Sequence, residues 1–280
     1  MNIKILSDST CDLPPELLHR YDITLLPLSI ERNGETLRDG IDMTPADVFR
    51  QVDEGGPLCR TSAVNVGEFV EHFRYWRASY DAVICVTLSA EMSSCYQNAC
   101  LAAQEFDQVY AVDSRNLSSA QGIIVLDAAR LVESGLPPQT IVDRLNKETG
   151  RIQSSFLPDR LDYLYKGGRC SAVAALGANL LHLKPRIEVV DGKMGVTKKY
   201  RGSFTHCMEQ YARELLERYP HVRGDICFVV HPDAQEDAVR ASLRVMRESG
   251  RFEQVFEVRT GCTVACHCGP NTIGIMFVSL

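Results

Sequence analysis

The chain has 280 residues, of which 45% are hydrophobic and 24% charged, and a formal net charge of −6. That length accommodates two domains with cores of their own, and the composition is that of an ordinary globular protein. An acidic chain with no basic block argues against nucleic-acid binding, which requires clustered Lys and Arg against phosphates.

The first residues, Met1 to Asp8, enter a strand pattern directly and carry neither the charged nor the apolar region of a signal peptide. Apolar runs fall far short of the roughly 20 residues that span a bilayer. A cytoplasmic protein is expected, with the 11 scattered cysteines as reduced thiols.

In chain order, residues 3–7 read as a strand, Asp8-Ser9-Thr10 as a polar turn, and Asp12 to Glu16 as the opening of a helix with proline in its first turn. A strand is expected at about 24–31, followed by the Asn33-Gly34 hairpin signal and a return strand near 36–38. Thr44-Pro45-Ala46-Asp47 reads as a capping box opening a helix to about Val52. Glu54 to Pro57 is a breaker, and the Thr61 and Ser62 hydroxyls stand ahead of a helix over 66–79. A buried strand over 82–88 leads through Ser89, Ser93 and Ser94 into a helix from Tyr96. A strand over 109–112 ends in Asp113-Ser114, and helices follow at about 118–134 and 138–149. Alternating β and α elements predict a mostly parallel sheet with helices on both faces.

After a strand over 151–156 the pattern changes. A short helix over 159–166 stops at Gly167-Gly168, followed by Arg169, and an Ala/Leu-rich helix is expected from about Ala172 to Leu183. A hairpin around Asp191-Gly192 then carries the basic strand Lys198 to Arg201. Helix 203–218, strand 225–230, helix 235–248, strand 254–259, a loop over 261–272 and a closing strand over 273–278 complete the chain. The expected division is an α/β domain over 1–157 and an α+β domain over 158–280, with a ligand site at their junction.

Three strand ends, Asp8-Ser9-Thr10, Ser89 with Ser93, and Asp113-Ser114, carry small polar residues where open α/β sheets collect ligands. The turn into the helix near Ser93 and Ser94 has the makings of an anion site, because the first N–H groups of a helix lack internal partners and the dipole is positive there. Simple helix capping by either serine is the competing reading. The common nucleotide loops, H-E-x-x-H and the G-x-S-x-G elbow are absent from the sequence. Cys262, Cys266, His267 and Cys268 have the right chemistry for zinc, yet Cys-His-Cys in succession is too cramped for three tetrahedral corners, so no metal is expected. His267 could serve as base to Ser93 as nucleophile, with Asp8 or Asp113 as orienting acid, which would make the protein a serine hydrolase. A small-carboxylate sensor is a third class. Arg169 offers a forked anion grip or a solvated helix end, and Lys198, Lys199 and Arg201 a protected sheet edge or a docking patch.

Taken together, Ser7 to Pro14, Arg60-Thr61-Ser62, Leu88-Ser89 with Met92-Ser93 and Tyr96-Gln97, Val112-Asp113-Ser114, Tyr163 to Arg169, Leu183-Lys184-Pro185, Arg201 and His267 to Pro270 resemble, in order and from end to end, the DegV family of fatty-acid-binding proteins. Members of that family serve as acyl carriers for bacterial fatty acid kinase. The resemblance implies a two-domain protein with one long-chain fatty acid in an interior tunnel and no cofactor besides that ligand. Thr61, Ser93 and His267 would hold the carboxylate, with Ser62 and Ser94 as neighbouring hydroxyls and Arg169 near the head group. Arg201 would meet an ATP-binding kinase subunit that phosphorylates the carboxylate to an acyl phosphate for phospholipid synthesis. The protein would then have no activity alone and no transmembrane segment, though transient membrane contact is compatible. The chain departs from the family pattern at Met92-Ser93-Ser94-Cys95, where Leu-Ser-Gly-Thr is usual, and at Cys268 and Asn271, where Thr and Gly are usual.

Overall fold

The computed structural model describes residues 1–171 and 183–280. The helix expected from Ala172 therefore lies, up to residue 182, outside the described residues, and Leu183 opens a strand. The chain forms two compact units. The first comprises Met1–Met43 and Cys59–Gly150, and the second Thr44–Leu58 and Arg151–Leu280. The second unit thus begins at Arg151, ahead of the boundary read at 157, and takes in a segment from the N-terminal half.

The first unit is built on a parallel sheet of β1 (Ile3–Asp8), β2 (Thr24–Leu26), β6 (Ala82–Thr87) and β7 (Val109–Asp113), in the order β2-β1-β6-β7. Every residue of β1 and β6 is buried. That is why they read as apolar runs and not as alternating strands. Lys4 is the basic residue in β1, whose end carries the polar Ser7 and Asp8. Lys4 is 1% exposed, with Nζ 2.8 Å from an Asp22 carboxylate oxygen and 4.1 Å from the centre of the Trp76 ring. Five helices belong to this unit: α1 (Pro15–Arg20), α3 (Val66–Arg77), α4 (Cys95–Ala103), α5 (Ser118–Glu133) and α6 (Pro138–Glu148).

The strand expected over 24–31 is two strands in two sheets. β2 ends at Leu26, and β3 (Ser29–Arg32) pairs antiparallel with β4 (Glu35–Arg38) and β5 (Arg60–Ser62). Pro27, between them, has no N–H to donate to a ladder, so the chain leaves one sheet there and enters the next. Asn33 and Gly34, at φ 51° and 85°, close the β3–β4 hairpin as the dipeptide predicts. Thr61 and Ser62, read as standing ahead of α3, belong to β5. Asn65 is the cap instead: its Oδ1 accepts from the Glu68 N–H at 3.0 Å, and Glu68 accepts from the Asn65 N–H at 2.8 Å.

The second unit contains α2 (Pro45–Asp53), opened by Thr44 with Asp47 accepting from the Thr44 N–H at 2.9 Å. Its sheet has six strands in the order β10-β9-β8-β13-β11-β12. These are β8 (Ile152–Pro158), β9 (Leu183–Val190), β10 (Lys193–Arg201), β11 (Val222–His231), β12 (Gln254–Arg259) and β13 (Thr272–Ser279). All neighbours are antiparallel except β11 and β12. Asp191-Gly192, at φ 52° and 82°, makes the second predicted hairpin. Helices α8 (Phe204–Arg218) and α9 (Glu236–Glu248) share with this sheet a core that includes Tyr211, Leu215, Met246, Ile275 and Phe277. Two short helices complete the unit, α7 (Asp162–Gly167) and α10 (Cys262–Cys268). The fold class read from sequence, a parallel α/β part followed by a sheet-rich α+β part, is the one observed. Among the described residues no helix is long and apolar enough to cross a membrane.

Candidate functional site

The parallel register brings the carboxyl ends of β1, β6 and β7 side by side, with Ser7 opposite Val86 and Thr87 opposite Asp113. The polar residues expected there do meet, and they act on the backbone of the turn between β6 and α4. Asp8 Oδ2 accepts from the Leu88 N–H at 2.7 Å, the Asn116 carbonyl from Ser89 at 2.8 Å, and Asp113 Oδ1 from Ala90 at 3.2 Å. Three consecutive N–H groups are thereby fixed from two neighbouring strand ends. Asp8 is fully buried, and burial pushes its carboxyl above the usual carboxylate range, opposed by hydrogen bonds from Thr10, Leu88 and Gln121. The Thr10 hydroxyl donates to it at 2.5 Å and Gln121 Nε2 at 3.1 Å.

The turn carries Ser93, half-buried, and Ser94, exposed. Ser93 Oγ accepts from the Cys95 N–H at 3.3 Å, so it caps α4, and its hydroxyl also hydrogen-bonds the Cys95 thiol, a bond that, with the backbone bond to Val64, opposes the upward shift of that thiol. Ser94 makes no side-chain cap and has φ −79°, so glycine is not required where the family usually has it. Cys95 is fully buried beneath Ser93, and burial first, then the charge of Asp8, pushes its thiol up to about 12. A thiol held so far above neutral pH is inert.

Thr61 and Ser62 point to opposite faces of β5. Thr61 pairs with the fully buried Ile30 and shares its face, whereas Ser62 pairs with Ser29 and is exposed.

The other candidates belong to the second unit. His267 lies in the last turn of α10 rather than in the expected loop. Six of that helix's seven residues are buried, which removes the amphipathic period by which a helix is recognised. Burial, and secondarily the Arg169 guanidinium, lowers the His267 imidazole to about 4, so it is neutral at physiological pH and offers one N–H donor. An orienting carboxylate would act in the opposite direction, so these surroundings disfavour the hydrolase reading. Asp8 and Asp113, the acids considered for that triad, hold the Ser93 turn. On a helix, Cys262 and Cys266 fall one turn apart, while Cys268 is rotated about 200° from Cys266 and cannot join them around one ion.

Arg169 follows α7, and its Nη1 donates to the Gly167 carbonyl at 2.7 Å. The guanidinium thus sits at a helix C-terminus, where cations are favoured. Arg201 ends β10, the edge strand, and is exposed. Of the basic residues grouped with it, Lys198 is bridged to Glu214 at 2.6 Å. Asn271, where glycine is usual, has φ 52°, a conformation that Asn tolerates better than most residues, and its Oδ1 accepts from the Gln235 N–H at 2.9 Å. Sequence reasoning missed Gln121 and Asn116, whose partners lie far along the chain, the local capping box of Asn65 with Glu68, and the packing role of Gly167.

The DegV family model, described as "Uncharacterised protein, DegV family", matches residues 2–280. The chain belongs to the DegV family. A DegV domain-containing protein of Clostridium perfringens is 31% identical over 278 residues, covering 99% of this chain and 98% of that one. Among solved structures, one described as fatty acid binding of a DegV family protein from Thermus thermophilus superposes with a TM-score of 0.93 at 29% identity, covering 100% of both chains. Another, a stearic acid-binding protein from Eubacterium ventriosum, gives 0.82 at 26% identity, covering 99% of this chain and 98% of that one. The DegV resemblance read from the sequence motifs is therefore borne out over the whole chain.

Proposed function

We propose that this chain binds one long-chain fatty acid and presents its carboxylate to an ATP-binding kinase subunit, which phosphorylates it to an acyl phosphate. The observation that carries fatty acid binding is the full-length likeness to the Thermus thermophilus structure, at a TM-score of 0.93. In this reading Thr61, Ser93 and His267 hold the carboxylate, Arg169 stands near the head group, and Arg201 takes part in docking the kinase subunit.

The division of labour follows from magnitudes. Each buried CH₂ contributes about 0.8 kcal/mol, so a long acyl chain gains on the order of 10 kcal/mol before the costs of association. Neutral donors such as Ser93 and His267 each contribute about 1.5–3 kcal/mol to a charged acceptor. The tail supplies affinity, and the hydroxyls and imidazole set the orientation of the head group. A donor set without a general base suits a carrier that leaves phosphoryl transfer to its partner.

Titration with fatty acid labelled with ¹³C at the carboxyl carbon tests the binding step. Saturable 1:1 binding with a shifted carboxyl signal is expected, and a signal identical to that of the free fatty acid contradicts it. With the kinase subunit and ATP added, Arg201→Ala should bind the fatty acid normally and lose acyl phosphate formation. Equal loss of both would refute the docking role.

A further inference from the structure

Two adjacent glycines close α7, for different reasons. Gly168 has φ +69° and open space where a Cβ would stand, so its place is owed to the left-handed turn that ends the helix. Gly167 has no such backbone requirement. A Cβ there would come 2.5 Å from His267 Nδ1, 3.4 Å from Cγ and 3.6 Å from Cα. At the first of these distances either the imidazole or the backbone must shift.

The contact is reciprocated. A Cβ on Gly269, two residues past His267, would come 2.6 Å from Cδ2 of Tyr163, four residues before Gly167. Tyr163 is fully buried, and its ring meets Phe49 of α2 edge-on at 6.1 Å. The two short helices therefore dock through two glycine-to-ring contacts, one in each direction, both within the second unit.

We propose that Gly167 is a positioning residue for His267, and that the end of α7, with Arg169 closing on the Gly167 carbonyl, joins the imidazole in one rigid head-group element. This rests on the reading of His267 as a carboxylate donor, and it adds the device that holds the donor in its productive orientation. A ring packed against bare backbone has one orientation available, and a ring displaced by a methyl group loses its aim at the ligand and its shelter from water.

The test compares Gly167→Ala, His267→Ala and the double variant with the parent chain. Three quantities are read: oleate affinity, thermal unfolding, and the His267 imidazole signal by ¹H–¹³C NMR, assigned by its loss in His267→Ala. Gly167→Ala should shift that signal, raise its titration midpoint from about 4 toward that of an exposed histidine, and weaken oleate binding about 10-fold, as for one hydrogen bond to a charged group. The double variant should bind no more weakly than His267→Ala and regain the unfolding temperature that Gly167→Ala loses. An unmoved signal and midpoint in Gly167→Ala, or a penalty additive to that of His267→Ala, would overturn the proposal. Should Gly167→Ala fail to fold, recovery of folding in the double variant supports the steric account and its failure refutes it. Should His267→Ala bind oleate as tightly as the parent, the carboxylate role of His267 falls, while the NMR signal still decides the positioning role.

Discussion

Thr61 stands opposite Ile30 across the β3–β5 ladder, and Ile30 is fully buried. The pair fixes which way two adjacent hydroxyls point: Thr61 lies on the face of buried Ile30, and Ser62 on the exposed one. Thr61→Val, which keeps the shape and removes the donor, should weaken fatty acid binding about 10-fold, the worth of one hydrogen bond to a charged group. Ser62→Ala should leave it within about twofold. Calorimetric titration with oleate separates the two, and equal effects would contradict the assignment.

Ser93 has a local duty as well as a proposed ligand. Because its Oγ accepts from the Cys95 N–H, Ser93→Ala should cost about 0.5–2 kcal/mol of stability as a lost cap, in addition to its effect on binding. Ser94→Ala, with no cap bond to lose, should be near neutral in stability. Urea unfolding of the two variants checks the difference.

The half-buried imidazole of His267 makes stability depend on pH. His267 has a folded pKa of about 4, below its unfolded value of about 6.5, so the unfolded chain binds a proton that the folded chain refuses between those limits. Stability from this group is therefore fully present above about pH 6.5, falls as the pH drops toward 4, and levels off below it. The full loss is on the order of 3 kcal/mol. Urea unfolding of the parent and of His267→Gln at pH 7 and pH 4.5 should show the gap between them narrowing or reversing in the variant's favour at the lower pH.

Lys4 extends under Trp76 with its stem fully packed, while its partner Asp22 is 70% exposed and can be solvated without it. Lys4→Met, which retains the stem's volume, should cost less than about 1.5 kcal/mol. Lys4→Ala leaves a cavity in β1 and should cost about 2–5 kcal/mol. Thermal or urea unfolding measures both, and equal costs would mean that the ammonium group, not its stem, carries the stabilisation.

Much of this fold could be read from sequence because its signals are local. The apolar runs of β1 and β6, the two hairpins at Asn33-Gly34 and Asp191-Gly192, and the Thr44–Asp47 capping box each depend on residues within a few positions of one another. What escaped depends on distant partners. β5 is a three-residue strand defined only by its pairing with β3, and α10 is buried nearly all round, so it carries no helical stripe. At the candidate site, the hydroxyls and the histidine were visible as residue types in a family order. Their local surroundings were not: Asp8 and Asp113 appeared as acids in search of a substrate, and they are engaged by the N–H groups of Leu88 and Ala90. The reason for Gly167 appears only when the His267 ring is in place.

The central claim is that this chain carries a fatty acid, and mass spectrometry of the purified protein tests it most directly. Native spectra, followed by organic extraction and lipid analysis, should show one acyl chain per polypeptide, or its stoichiometric uptake when delipidated protein is mixed with oleate. Protein that yields no fatty acid on extraction and takes up none when offered would contradict the account.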